Sequence, residues 1–414
     1  MPARSSLFTP VLIGGCIIIL VNVAIRGSFG MFQIPIAAEH GWLRSDFSLA
    51  IAVQNLAWGF GQPVFGAIAE RFGDRRAVVG GALLYALGLV LSSQAVLPIQ
   101  HQLLEILVGF GIAGTGFGVI LAVVGRAASA GNRSLALGIV TAAGSAGQVI
   151  GAPVAEALMT VVPWQTVFVI FAAAILLVLL ALPMLKAPPR TGNPEPEEKL
   201  TSVVAQALKD PSFALIFLGF FSCGYQLAFI TAHFPAFITE ACSAIAPDGL
   251  LAGLGITSTS ALGAAAISLI GIANIVGCIT AGILGNRYSK KYLLSGIYLG
   301  RTLISAAFIL TPMTPGTVIL FSLSMGALWL ATVPLTSGLV AQIYGIRYMG
   351  TLYGIVFFSH QVGSFMGAWL GGKLYDLYGT YDMVWWIGVG IGAFSALVHL
   401  PIREQRLRIS GAAA

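Results

Sequence analysis

The sequence predicts an all-α membrane protein: twelve transmembrane helices in two pseudo-symmetric six-helix bundles. Three observations carry that expectation. Hydrophobic residues fill 57% of the 414 positions and charged residues only 9%, more apolar surface than a water-soluble fold of this length hides. Apolar runs of about 20 residues, enough to cross a hydrocarbon core about 30 Å thick, recur between charged turns. One turn is also written twice. Gly66-Ala67-Ile68-Ala69-Glu70-Arg71-Phe72-Gly73-Asp74-Arg75-Arg76 returns in outline 216 residues later as Gly282-Ile283-Leu284-Gly285-Asn286-Arg287-Tyr288-Ser289-Lys290-Lys291. A membrane-embedded unit has been duplicated, and such halves bind their cargo where they meet.

The spans run in order over 8–36, 46–68, 77–98, 102–125, 135–159 and 163–185, then 212–239, 259–284, 292–312, 315–343, 348–372 and 382–402. Unpaired backbone groups are not tolerated in lipid, and the length and lack of strict alternation select helices over barrel strands. The first run is too long for a cleavable signal and no small-residue cleavage site closes it, so it is expected to remain as a helix. The basic turn joins the second span to the third. The fifth opens on Arg133-Ser134-Leu135-Ala136-Leu137-Gly138-Ile139-Val140, which matches Thr351-Leu352-Tyr353-Gly354-Ile355-Val356 in the eleventh at the same offset of 216. Between the sixth and seventh, Pro188-Pro189-Arg190 and Asn193-Pro194-Glu195-Pro196 cannot build a core, which makes this stretch a linker with a short surface helix near 200–209. The expected division is 1–186 as the first bundle, 187–210 as a cytoplasmic linker and 211–414 as the second bundle. The opening helices of the halves align at an offset of 200, pairing Pro35 with Pro235 and Arg26 with Gln226. That change of offset places an insertion between about 240 and 258, in a longer external loop. The 51 glycines suit close helix packing in lipid.

Seventeen of the 21 Lys and Arg residues fall on the side that holds both termini, and only Arg44 and Lys373 on the other. By the positive-inside rule both termini are cytoplasmic. The pI near 9.2 then reflects topology, and no nucleic-acid partner is expected. The four cysteines give no disulfide framework, since Cys16, Cys223 and Cys278 lie in spans. No nucleotide-binding loop, metal-ligand cluster or nucleophile–base set is visible, so neither an enzyme, a metal nor a cofactor is expected.

The first basic turn, through Gly66, Glu70, Arg71, Gly73, Arg75 and Arg76, resembles the G-x-x-x-D-R-x-G-R-R signature of the major facilitator superfamily, with Glu70 for the usual Asp. Within it, four segments look like the monocarboxylate transporter and oxalate:formate antiporter relatives. These are 133–138 continuing through Ala143-Gly144-Ser145, then Gly372-Lys373-Leu374-Tyr375-Asp376-Leu377-Tyr378-Gly379-Thr380-Tyr381, Ser28-Phe29-Gly30-Met31-Phe32 with Gly41-Trp42, and Cys223-Gly224-Tyr225-Gln226 onward. The resemblance implies the major facilitator fold in a bacterial inner membrane, a functional monomer and alternating access to a small organic anion. It also implies a gating role for Glu70, Arg71, Arg75 and Arg76, with Arg287, Lys290 and Lys291 opposite. The chain departs from that pattern on helix 8, where the family's arginine and aspartate fall on Cys278 and Asn274. On helix 11, His360 falls where the oxalate:formate relative has its substrate-binding lysine.

An arginine inside a span normally faces a bundle interior or a watery cavity, and Arg26 is so placed on the first helix. Its guanidinium can grip a carboxylate through two parallel hydrogen bonds. The alternative for Arg26 is a structural ion pair or a snorkelling arginine. His360, with an ordinary pKa near ~6.5, can change charge in the physiological range or serve as a neutral hydrogen-bonded core histidine. Glu105 and Glu156 fall toward the outer ends of their spans, so proton coupling leans on His360 or, if water reaches it, on Glu156. Tyr225, Gln226 and Asn274 are the preferred polar partners of the anion, with Asn22, Gln54, Asn55, His233, Gln342 and Gln361 as further lining candidates. Arg301 is expected to pair with a neighbouring helix and His399 to be interfacial. The function expected is secondary transport of a small organic anion, a monocarboxylate, with a proton. Export of a neutral or amphipathic compound, and a transporter-like sensor that binds without moving its ligand, are the alternatives.

Overall fold

The computed structural model describes residues 8–128, 133–186, 200–285, 287–344 and 349–406. Most of the expected linker, 187–199, lies outside the described residues, as does the side chain of Glu70. Counting each broken helix once, the described residues form twelve long helical segments: α1 Pro10–His40, α2 Arg44–Phe72, α3 Asp74–Ser92, α4 Pro98–Ala127, α5 Arg133–Met159, α6 Trp164–Met184, α7 Pro211–Ala241, α8 Thr259–Gly285, α9 Lys290–Leu310, α10 Pro315–Tyr344, α11 Met349–Tyr378 and α12 Asp382–His399. Short helices at Leu200–Lys209 and Leu250–Gly253 occupy the linker and the longer loop after α7.

Ten of the twelve are long and apolar enough to cross a membrane by length and composition alone. The two that are not, α2 and α11, pack against each other. Their polar residues, Gln54, Asn55 and Gln62 on one and His360 and Gln361 on the other, lower their hydropathy because they face protein rather than lipid.

The halves repeat the same packing. Helix α1 lies on α5, α2 on α4 and α3 on α6, just as α7 lies on α11, α8 on α10 and α9 on α12. The α1–α5 crossing depends on Gly147 and Gly151, where a methyl group would strike the carbonyls of Leu20 and Ala24. Gly363 and Gly367 do the same on α11, against Phe221 and Tyr225 of α7. Small residues four apart let two backbones touch, and packing is what holds helices together in lipid. The halves join through α2 with α11 and α5 with α8.

Local signals start several helices. Thr9-Pro10 and Asp210-Pro211 open α1 and α7, with the Thr9 hydroxyl accepting from Leu12 N–H at 3.2 Å and the Asp210 carboxylate from Ser212 N–H at 3.0 Å. The first basic turn needs its glycine, because Gly73 has φ 96°. At the matching place in the second turn Ser289 has φ −59°, so no glycine is required and none is kept.

Besides α1, which passes through a 3-10 stretch at Phe29–Phe32, two spans that the sequence shows as continuous are broken. Helix α4 interrupts at Gly116 and α10 between Ala327 and Thr332, the same point of the repeat. A break in lipid leaves peptide groups without partners, and an asparagine from a neighbouring helix supplies them in each half. Asn22 on α1 donates to the Ile112 carbonyl at 3.5 Å and to Thr115 Oγ1 at 2.6 Å, and Asn274 on α8 accepts from Leu330 N–H at 3.0 Å.

Candidate functional site

The face opposite the termini is closed. Pro235 has no N–H, so the Thr231 carbonyl one turn earlier loses its helical partner. Gly30 of α1 rests on that carbonyl, where a methyl group would collide. Three residues on, Gln33 donates to His233 Nδ1 at 3.0 Å. His233 Nε2 donates to the Ala368 carbonyl at 2.7 Å, which leaves Nδ1 as acceptor. Tyr381 adds its hydroxyl, 3.3 Å from the same Nδ1.

Further out, Arg44 pairs with Glu240, lies over the Tyr375 ring at 3.7 Å and donates to Tyr381 Oη at 2.8 Å. Burial pushes the Tyr381 phenol up to about 12, against the opposing pull of Arg44, so it stays protonated at physiological pH. The Asp376 carboxylate of α11 accepts from the Arg44 and Ser45 N–H groups at 3.1 and 2.8 Å. It thereby caps α2 from the other half and meets the positive end of that helix. On the α5–α8 seam, Ser260 donates to Glu156 at 2.9 Å and Ser268 to the Val149 carbonyl at 2.7 Å.

Toward the termini the halves part. The contacts described between α2 and α11 run from Arg44–Asp376 to Trp58–Phe357 and Phe60–Phe358. Those between α5 and α8 run from Glu156–Ser260 to Asn274, which donates to Ser145 Oγ at 3.1 Å. Beyond them, at Gly66, Gly138, Gly282 and Gly354, a methyl group would meet nothing. The basic turns are held within their own halves: Arg75 donates to the Leu185 and Pro183 carbonyls, Arg126 pairs with Asp74, Lys290 donates to Gln342, and the Lys291 N–H donates to Glu404. No bond between the two turns is described for Arg71, Arg75, Arg76, Arg287, Lys290 or Lys291.

Arg26 sits where the closed part ends. It is partly exposed, donates to Asn55 Oδ1 at 3.2 Å and stacks 4.5 Å from the centre of the Trp58 ring. Among the described residues no carboxylate pairs with it. Trp58 meets Phe357 of the other half edge-on at 5.2 Å, and Phe357 stacks on His360 at 5.2 Å. The two strongest sequence candidates therefore stand at opposite ends of an aromatic bridge across the halves. His360 is buried, its Nδ1 3.2 Å from Gln361 Oε1.

The other expected partners lie elsewhere. Tyr225 donates to the Val384 carbonyl and Gln226 to the Gly388 carbonyl, both at 3.1 Å; these bonds turn them into α12 and away from Arg26. Asn274 is committed to the seam and to the α10 break. Arg301 is fully buried and donates to the Trp329 carbonyl at 3.4 Å, a bond to a neighbouring helix as expected. His399 is not interfacial: it is buried and stacks on Tyr298 at 5.0 Å, because α9 and Gly219 of α7 close over its ring.

Sequence reasoning missed Trp58, whose only signal is its place three residues after Asn55, on the same helix face. It also missed the Arg44–Glu240–Asp376 cluster, whose members lie in three separate loop-end segments. A groove of about 460 Å³, lined among others by Phe217, Phe221, Ser359 and Phe394, is apolar and does not include Arg26.

A family model described as Major Facilitator Superfamily matches residues 15–368. The chain is 25% identical over 397 residues to the uncharacterized MFS-type transporter YcxA of Bacillus subtilis, covering 91% of this chain and 90% of that one. It is 26% identical to monocarboxylate transporter 13 of Bos taurus, covering 90% and 84%. The fold superposes on the crystal structure of a D-xylose-proton symporter with a TM-score of 0.69 at 16% identity, covering 96% of this chain and 98% of the other.

Proposed function

The chain belongs to the Major Facilitator Superfamily, and on that premise we propose that it carries a small organic anion, a monocarboxylate, together with a proton by alternating access. It is an integral membrane transport protein. Under this reading it lies in the cell's inner membrane with both termini in the cytoplasm, and the open space faces the cytoplasm.

The observation that carries the reading is Arg26, a guanidinium with no carboxylate partner among the described residues, at the head of the space between the halves. A cation this deep needs an anion or strong acceptors to offset lost hydration. Asn55 satisfies one nitrogen and Trp58 one face, which leaves the rest of the planar fork for a carboxylate. The likeness to a monocarboxylate transporter supports the same substrate class. His360 reaches the site through Phe357 and Trp58, and a change in its charge would be felt at Arg26 across the halves. Glu156, bonded to Ser260, serves the closed face in this reading. Glu70, Arg71, Arg75 and Arg76, with Arg287, Lys290 and Lys291, form the gate that closes the cytoplasmic side when the other side opens.

Asn274 and Cys278 favour a second reading. Neither brings a fixed charge to α8, so the second half offers no counterpart to Arg26 on that helix, which suits export of a neutral or amphipathic compound. A thermal-stability screen against carboxylates and neutral analogues at two pH values separates the two. Stabilisation by monocarboxylates that is lost in Arg26→Ala is expected, and stabilisation by the neutral analogues alone would remove the anion reading.

A further inference from the structure

The first half contains a second ionisable cluster apart from the substrate space. Glu105 and His101 lie one turn apart on α4, 0% and 1% exposed, with His101 Nε2 3.8 Å from Glu105 Oε1. Gln54 on α2 donates to Glu105 Oε2 at 2.6 Å. Glu105 Oε1, both ring nitrogens of His101 and the buried Tyr85 hydroxyl on α3 have no hydrogen-bond partner. Phe47 and Phe168 stack beside the imidazole at 5.9 and 6.3 Å, and Trp42 tilts against it at 5.8 Å. Buried polar atoms are nearly always paired, and four without a protein partner around one carboxyl group mark it as more than a packing site.

We propose that Glu105, with His101 behind it, is the proton-binding site of the first half and sets whether Arg26 is free for the anion. The inference rests on the symport reading and deepens it. Gln54 holds Glu105, and the next residue, Asn55, holds Arg26. The Tyr85 phenol lies within electrostatic reach of both Glu105 and Arg26. Among the described residues the other titratable group facing the pair is His40, at the end of α1, which stacks on Trp42 at 5.1 Å.

The step is the gain of one proton by the pair, with no other bond changed. Without the proton the pair carries a net negative charge that draws the guanidinium and competes with the cargo's carboxylate. With the proton the pair is neutral and Arg26 is released to the cargo, so proton and anion bind together. Intramembrane carboxylate–histidine sets of this kind serve as proton relays.

Infrared titration of the unaltered protein should show the band of a protonated carboxyl in apolar surroundings that disappears as pH rises. The band should be absent in Glu105→Gln and present in Glu156→Gln. Arg26→Gln should change its proton affinity by at least about fivefold, the low end of coupling between sites. A band that persists in Glu105→Gln, or no titrating band, overturns the proposal. If Glu105→Gln does not fold, a hydrophobic carbodiimide gives the answer on the unaltered protein: modification of Glu105 that fades at alkaline pH supports the site, and modification confined to other carboxyls refutes it. Pyruvate uptake into proteoliposomes separates the two ideas. Uptake that ignores a proton gradient while the Glu105 band titrates removes symport and leaves the site, whereas gradient-driven uptake that survives Glu105→Gln removes the site and leaves symport.

Discussion

In the proposed site a single guanidinium, Arg26, holds the cargo, and its geometry rather than its charge is the testable part. Lysine at position 26 would keep the charge but lose the planar fork. Loss of one bond to a charged partner costs about 1.5–3 kcal/mol, so Arg26→Lys should weaken monocarboxylate binding by roughly 10- to 150-fold in a calorimetric titration. Unchanged affinity would show that a point charge is enough. Arg26 was legible in the sequence because a charge in an apolar run is rare and costly. Its neighbours were not: Trp58 reads as one more apolar residue, and nothing in their spacing says that Tyr225 and Gln226 bond to α12 instead of facing the cavity. Which face of a helix looks inward is decided by packing partners far away in sequence.

At the scale of elements, two features follow from backbone chemistry that composition hides. The breaks in α4 and α10 lie inside runs as apolar as any other, and only the paired asparagines, Asn22 and Asn274, show where the peptide groups need help. Asn274→Ala leaves the Leu330 N–H unpaired, a loss of about 1–3 kcal/mol, and should lower the thermal midpoint, whereas an unchanged midpoint would mean that water or a neighbour replaces the amide. The closed face depends on Asp376 capping α2 from the opposite half. Asp376→Asn removes the charge facing that helix end, so spin labels placed across this face should report a wider or two-population distance. The repeat made the helix plan readable, and its offset of 216 also relates Gly147 to Gly363, which hold the α1–α5 and α7–α11 crossings. The cross-half cluster of Arg44, Glu240 and Asp376 lies outside any repeat and became visible only in three dimensions.

The whole molecule is two copies of one six-helix unit, sealed at one face and parted at the other. The duplicated turn predicted the twelve-helix, two-bundle fold, because duplication leaves a record in sequence that no single apolar run does. The state of the molecule left no such record: the same residues must also pack with the opposite face open, and a sequence compatible with both arrangements favours neither on its face. If alternating access holds, an anion and a proton bound at the centre should draw the separated ends of α2 and α11, and of α5 and α8, together. Uptake of a labelled monocarboxylate into proteoliposomes tests the central claim most directly. Uptake is expected to rise when the proton gradient is directed inward and to collapse in Arg26→Ala. Flux that ignores both the gradient and the substitution would contradict it.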